Sequence, residues 1–175
     1  MSRAELTAAL TELGAATTPH PGGTLLTHLH RVHDLLASWN ARETLQLAGL
    51  AHAFYGTDGF PHPLLPPDRR TELVDLAGAE AEAVVHLYAS CDRRATYPHL
   101  TGPGAPFRDR FTGRTLHPDR QRLCDFAELT VANELDLAMH DPAFREKWGP
   151  ELLVLFTRFK ALLSEECWGA VRSVL

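Results

Sequence analysis

Between Thr24 and Trp39 the apolar residues Leu25, Leu29, Val32, Leu35, Leu36 and Trp39 recur at three- and four-residue steps. That spacing lines one face of an α-helix. His28 occupies the same stripe, where leucine would be expected, while His30, His33 and Asp34 fall to the flank or toward water. Asn40 to Glu43 makes a turn, and a second helix is predicted from about Arg42 to Tyr55. Its middle, LQLAGLAHAFY, is apolar nearly all round and predicts burial on most sides. Gly49 costs roughly 1 kcal/mol relative to alanine in a helix interior, which a closely approaching neighbour helix would explain. His52 lies one turn before the exit at Gly56. An unpartnered buried imidazole costs on the order of 1–3 kcal/mol, so His28 requires a carbonyl, a carboxylate, a water or a metal.

The remaining pattern is also helical. Residues 4–13 predict a first helix with Leu6, Leu10 and Leu13 on one side. GAATTPHPGG (14–23) breaks it and places His20 in a loop, either solvated or folded over the mouth of a pocket. The loop GTDGFPHPLLPP carries Thr57, Asp58 and His62, with Tyr55 before it, past the same end as His52. Asp68 predicts an N-cap for a short helix closed by Gly78. The next helix, AEAEAVVHLYASCDRR, has Ala81, Val84, Val85, Tyr88 and Cys91 inside and His86 toward solvent. Arg93 and Arg94 at its end complement the helix dipole. The irregular stretch 95–117, with a hairpin at Thr112–Gly113, has the length of a lid or binding segment.

A helix from Asp119 to His140 carries Leu123, Phe126, Ala127, Thr130, Asn133, Glu134 and Leu137 on one stripe. Its polar mid-section is a candidate pocket wall. Asp141–Pro142 caps a short helix, and the apolar segment 150–175 is expected across the outside of the bundle or in a homodimer seam. The fold class is therefore all-α: one compact helical domain over residues 1–175, with its core at about 18–140 and 141–175 packed on it.

Composition excludes more than it specifies. A net charge of −5 and a pI near 6.0 argue against nucleic-acid and membrane-surface partners. No apolar run is long enough to span a bilayer, and the N-terminus lacks the order of a signal peptide. Three isolated cysteines without metal-type spacing suit a reducing cytoplasm.

A histidine on one helix, AGLAHA on the next and ANELD on a late helix together resemble the HD-domain superfamily, ordered H…HD…D. That superfamily includes metal-dependent phosphohydrolases and some diiron oxygenases. LAGLAHAFYGTDGF is similar in layout to the second HD helix and following loop of (p)ppGpp-type nucleotide hydrolases. HPGG–LLTHL, AGLAHAFYGT and ANELD resemble, more narrowly, small HD-like proteins with histidine–serine or histidine–alanine in place of histidine–aspartate. The resemblance spans about residues 18–140. It implies His28 as first ligand, His52 as the histidine of the pair and Asn133 in place of the last aspartate. Ala53 stands where the bridging aspartate belongs, so a two-metal centre is not expected.

What remains is a single-metal site: His28 and His52, completed by His20, Asp58, Glu134 or Asp136, suited to Fe, Zn or Mn. Asp58 or Glu134 is the candidate general base, and Tyr55 or Arg93 would orient a small-molecule substrate. A hydrolase or iron-dependent oxygenase fits this set. Two alternatives stay open. One is a metal-free lyase, isomerase or cyclase using His52 or His28 as acid–base, with Tyr55 and Asn133 as donors. The other is a non-catalytic binding or interaction module, in which the histidines and Asn133 bond to one another with no cavity between them.

Overall fold

The computed structural model describes residues 3–175. Nine α-helices form among them: α1 (Arg3–Glu12), α2 (Leu25–Ser38), α3 (Glu43–Ala51), α4 (Arg70–Ala77), α5 (Ala79–Ser90), α6 (Arg93–Thr96), α7 (Arg120–His140), α8 (Pro142–Phe159) and α9 (Glu165–Val174). Two small antiparallel hairpins interrupt them, β1 (Pro19–His20) with β2 (Gly23–Thr24), and β3 (Phe107–Arg108) with β4 (Thr115–Leu116). The fold is all-α.

Polar side chains fix most of the helix starts. Thr24 accepts from Thr27 N–H, Asp92 from Ala95, Asp119 from Arg122, Asp141 from Phe144 and Ser164 from Cys167. Each satisfies one of the amides that a first helical turn leaves unpaired. Pro142 follows Asp141 in the first turn, where its missing N–H costs nothing. Asp68 does not cap α4. Arg69 occupies that position without a side-chain bond. Gly78 ends α4 with φ +90°, a conformation that disfavours residues with a Cβ.

The core is built around α2, α3 and α7, with α5 on the far side of α3. Leu29, Val32 and Leu36 of α2 and Leu50, Ala51 and Phe54 of the α3 segment are fully buried. Gly49 is where the two helices come closest: a Cβ there would stand 2.5 Å from Leu36 Cδ1 and 3.4 Å from Val32 Cγ1. This contact explains a glycine inside α3. The same seam brings His28 and His52 toward each other from consecutive helices.

Four expectations are revised. The helix expected over 79–94 ends at Ser90, because Cys91 turns extended and Asp92 caps a new helix. Arg93 therefore begins a helix rather than ending one. The segment 95–117 is packed down beside α5 and α7 rather than free: Phe107 is buried, Phe107 and Phe126 meet edge to face, and Arg110 donates to the Ala89 carbonyl, while Tyr97 lines the cleft described below. Residues 142–159 form one long helix through Pro150, and its place is not simply outside the bundle, as the site shows. His33, expected at the flank, is buried, with Nδ1 3.0 Å from Asp34 Oδ1. No helix among the described residues is long and apolar enough to cross a membrane.

Candidate functional site

His28 Nδ1 lies 2.6 Å from Asp136 Oδ2 on α7. Asp136 is fully buried; burial alone would raise its pKa, but hydrogen bonds from His28 and Arg31 outweigh it and hold it below the usual range. The ionised carboxylate can only accept, so His28 Nδ1 is the donor. Arg31 closes the other side of Asp136, donating from Nε at 2.6 Å and from its terminal nitrogen at 2.9 Å. The same guanidinium reaches the Pro21 and Gly22 carbonyls and ties the β1–β2 hairpin to α7.

His52 is oriented in the same manner. Its Nδ1 sits 2.7 Å from the Gly49 carbonyl, which can only accept. Burial, and then the neighbouring His28, push its pKa down to about 3, so the ring is neutral and Nε2 carries a lone pair. That lone pair faces His28 Nε2 at 3.3 Å. Asn133 Oδ1 stands 3.1 Å from the same His28 nitrogen. The Asn133 amide is fixed in that sense because its nitrogen donates to Glu134 Oε1 at 3.2 Å. Arg93 donates to the same oxygen at 3.0 Å and to the Tyr88 hydroxyl at 3.3 Å.

His52 Nε2 and Asn133 Oδ1 thus both stand against His28 Nε2. With both Nδ1 atoms committed as donors, the arrangement is repulsive unless a positive particle lies between them. Either a proton or a metal ion meets that need.

His20 joins the group through its face. Its ring stacks on His28 with centroids 4.1 Å apart and planes at 26°. Burial, followed by His28, lowers its pKa to about 4. The hairpin loop does fold over a pocket and lend His20 to it, the second of the two sequence readings. No three His, Cys, Asp or Glu side chains are grouped to hold a metal among the described residues. The side-chain atom beside the two histidine nitrogens is the Asn133 amide oxygen.

These residues form the floor of a cleft of about 1060 Å³. Ala53, Thr57, Phe60, Arg93, Tyr97 and Glu134 also line it. The opposite wall is α8, through Phe144, Trp148, Leu152, Leu155 and Arg158. A segment expected on the outside is thus one wall of the pocket.

The other sequence candidates divide. Glu134 and Asn133 reach the floor. Tyr55 does not: its hydroxyl donates to Glu82 Oε1 at 3.1 Å, within the Arg70–Glu82 ion pair on the α4–α5 side. Asp58 is exposed and accepts from the Arg93 backbone N–H at 3.0 Å, which helps to start α6 rather than serve the cleft. Arg93 was misread as a dipole partner, although Asp92 three residues before Ala95 is a legible capping signal. Trp148 and the α8 face carried an apolar signal that did not point to a pocket.

The family model described as "Domain of unknown function (DUF6817)" matches residues 9–93. That span carries His20, His28, His52 and Arg93 and stops before Asn133, Glu134 and Asp136. No curated protein and no solved structure matches the chain.

Proposed function

We propose that the chain is a small-molecule enzyme of the hydrolase or iron-dependent oxygenase type, working at the floor of this cleft through one divalent ion. The observation that carries the reading is the approach of His52 Nε2 and Asn133 Oδ1 to His28 Nε2, at 3.3 and 3.1 Å. Donors ~2.1 Å from a shared ion stand roughly 3.0–3.4 Å apart, so the spacing fits. Both histidines also have the support expected of ligands: a carboxylate behind one Nδ1 and a backbone carbonyl behind the other. The resemblance to the HD-domain superfamily agrees with this ligand order, and Ala53 and Asn133 limit it to a single ion.

Fe, Zn or Mn bound there would supply an activated water or, for iron, oxygen chemistry. The chain's own residues do the rest. Asp136 and Gly49 each engage an Nδ1–H and so aim both Nε2 atoms at the gap. Glu134, held by Arg93, orients the Asn133 amide and is the cleft carboxylate assigned to receive a proton. The α8 wall holds the substrate and excludes water.

A second reading is favoured by the missing third His, Cys, Asp or Glu. In it a proton lies between the rings, and the Asp136–His28 couple with neutral His52 works as an acid–base relay without metal. Elemental analysis separates the two. Near-stoichiometric iron, zinc or manganese in protein purified without added metal, lost in His52→Gln and His28→Ala, supports the first. Folded wild-type protein that takes up none of the three when they are supplied overturns it and leaves the relay.

A further inference from the structure

The apolar part of the cleft is long, and it is one face of one helix. Phe144, Trp148, Leu152, Leu155 and Arg158 follow at three- and four-residue steps, and all line it. At ~1.5 Å per residue the apolar face from Phe144 to Leu155 is roughly 16 Å long, with Arg158 one turn beyond it. Leu25, Phe60 and Leu137 supply apolar surface opposite. Trp148 is 39% exposed and Val154 56%, and both belong to this cleft, while the other large exposed apolar residues, Leu13, Leu116 and Met139, lie outside it. Apolar side chains held open to solvent along a concave wall mark a surface that an apolar ligand covers.

The floor defines the other end of that ligand. Among the described residues two buried side-chain polar atoms lack a hydrogen-bond partner, His20 Nδ1 and the Tyr97 hydroxyl oxygen. Both residues line this cleft. Burial drives the Tyr97 pKa well above its ordinary value, so the hydroxyl keeps its proton and is a donor without an acceptor. The charges around it cancel in pairs, Arg93 with Glu134 and Arg31 with Asp136. A head group that carries an oxygen acceptor fits there.

We propose that the cleft binds an elongated, single-chain aliphatic molecule that lies along α8 with an oxygen-bearing end at the histidine floor. This deepens the reading of the cleft as the substrate site, yet its contacts are independent of any ion at His28 and His52.

The test is a series of straight-chain 1-alkanols from six to twelve carbons, kept below their solubility limits and followed by tryptophan fluorescence. Each methylene buried against α8 should tighten binding by up to about fourfold, the equivalent of ~0.8 kcal/mol. The response should vanish in Trp148→Phe. Val154→Glu, at an exposed position, should weaken 1-decanol at least tenfold with its urea midpoint unchanged. Wild-type protein stripped with a chelator should bind 1-decanol within about twofold of untreated protein.

An affinity that does not rise with chain length overturns the proposal, as does a signal that survives in Trp148→Phe. So does wild-type protein that sediments as a dimer which Val154→Glu dissociates, for then a second copy covers α8. Metal uptake without chain binding sinks this inference alone, and chain binding without metal uptake sinks the metal reading alone.

Discussion

Replacing Asp136 by asparagine changes one buried atom and tests both the stability and the chemistry of the site. The carboxylate receives His28 Nδ1 at 2.6 Å and two Arg31 nitrogens at 2.6 and 2.9 Å, with no exposure of its own. Asparagine keeps the shape but offers one accepting oxygen and a nitrogen that only donates. Removing one partner of a buried ion pair costs ~3–5 kcal/mol. Arg31 is 20% exposed and keeps the Pro21 and Gly22 carbonyls, which puts the loss at the lower end, about 3 kcal/mol. With an m-value of ~2 kcal/mol/M, the urea midpoint should fall by about 1.5 M.

The second effect is on the tautomer. If the new amide nitrogen faces His28, Nδ1 becomes an acceptor, the proton moves to Nε2, and the lone pair aimed at His52 is gone. Folded Asp136→Asn should then take up no metal. Imidazole nitrogen shifts in a long-range proton–nitrogen correlation spectrum should report the exchanged tautomer. A urea midpoint within about 0.3 M of wild type, together with unchanged metal uptake and ring shifts, would refute the reasoning.

Other consequences follow from the same contacts. In chelated protein, His20 and His52 titrate at about 4 and about 3, below the ~6.5 of the unfolded chain. Their contribution is therefore complete above pH ~6.5 and is lost as pH falls from there toward 4, because the unfolded chain binds protons that the folded chain refuses. Urea midpoints taken between pH 7.5 and 4.5 should decline, less steeply in His52→Gln; a flat profile contradicts the assigned states. Tyr97→Phe removes a buried hydroxyl with no partner and should stabilise the free protein by up to about 1 kcal/mol, read as a raised Tm, while weakening 1-decanol. A clear loss of stability would mean that the hydroxyl has a partner after all. Gly49→Ala gains ~1 kcal/mol of helix propensity but meets Leu36 Cδ1 at 2.5 Å, and overpacking costs ~1–3 kcal/mol, so the net change is a loss of about 0–2. In a Leu36→Ala background the sign should reverse, which a double-mutant cycle in urea would detect.

Much of the scaffold was legible because local chemistry determined it. The stripe through Leu25, Leu29 and Val32 gave α2. Thr24, Asp119 and Asp141 announced helix starts, and Gly49 forecast a tight helix seam. The meeting of His28 with His52 could be read from two adjacent helices with apolar stripes. The partners of those histidines could not. Asp136 is separated from His28 by more than a hundred residues, and their bond depends on how α7 docks against α2. Tyr55 lies three residues after His52, where the chain has left α3 and turns, so its ring goes to Glu82 instead of the cleft. The α8 wall was hidden for another reason. Its apolar spacing is the same whether the face meets a core, a partner or a ligand, and only the cleft in front of it distinguishes these.

Charge pairing around the floor makes the occupant of the histidine gap decisive. Asp136 is matched by Arg31, and Glu134 by Arg93, so the four full charges nearest the rings sum to zero. Neutral His52 adds nothing, and Asn133 contributes only the negative end of its dipole. Whatever lies between the Nε2 atoms is then a charge that these four do not balance, in a poorly solvated corner where its field is weakly screened. A proton there contributes one positive charge and a divalent ion two, and both draw an oxygen lone pair down from the α8 trough. The polarity of the head group and the chemistry at the rings therefore have one electrostatic origin. His52→Gln tests it, because loss of the gap should reduce selectivity for an oxygen-bearing end while the chain still binds along α8.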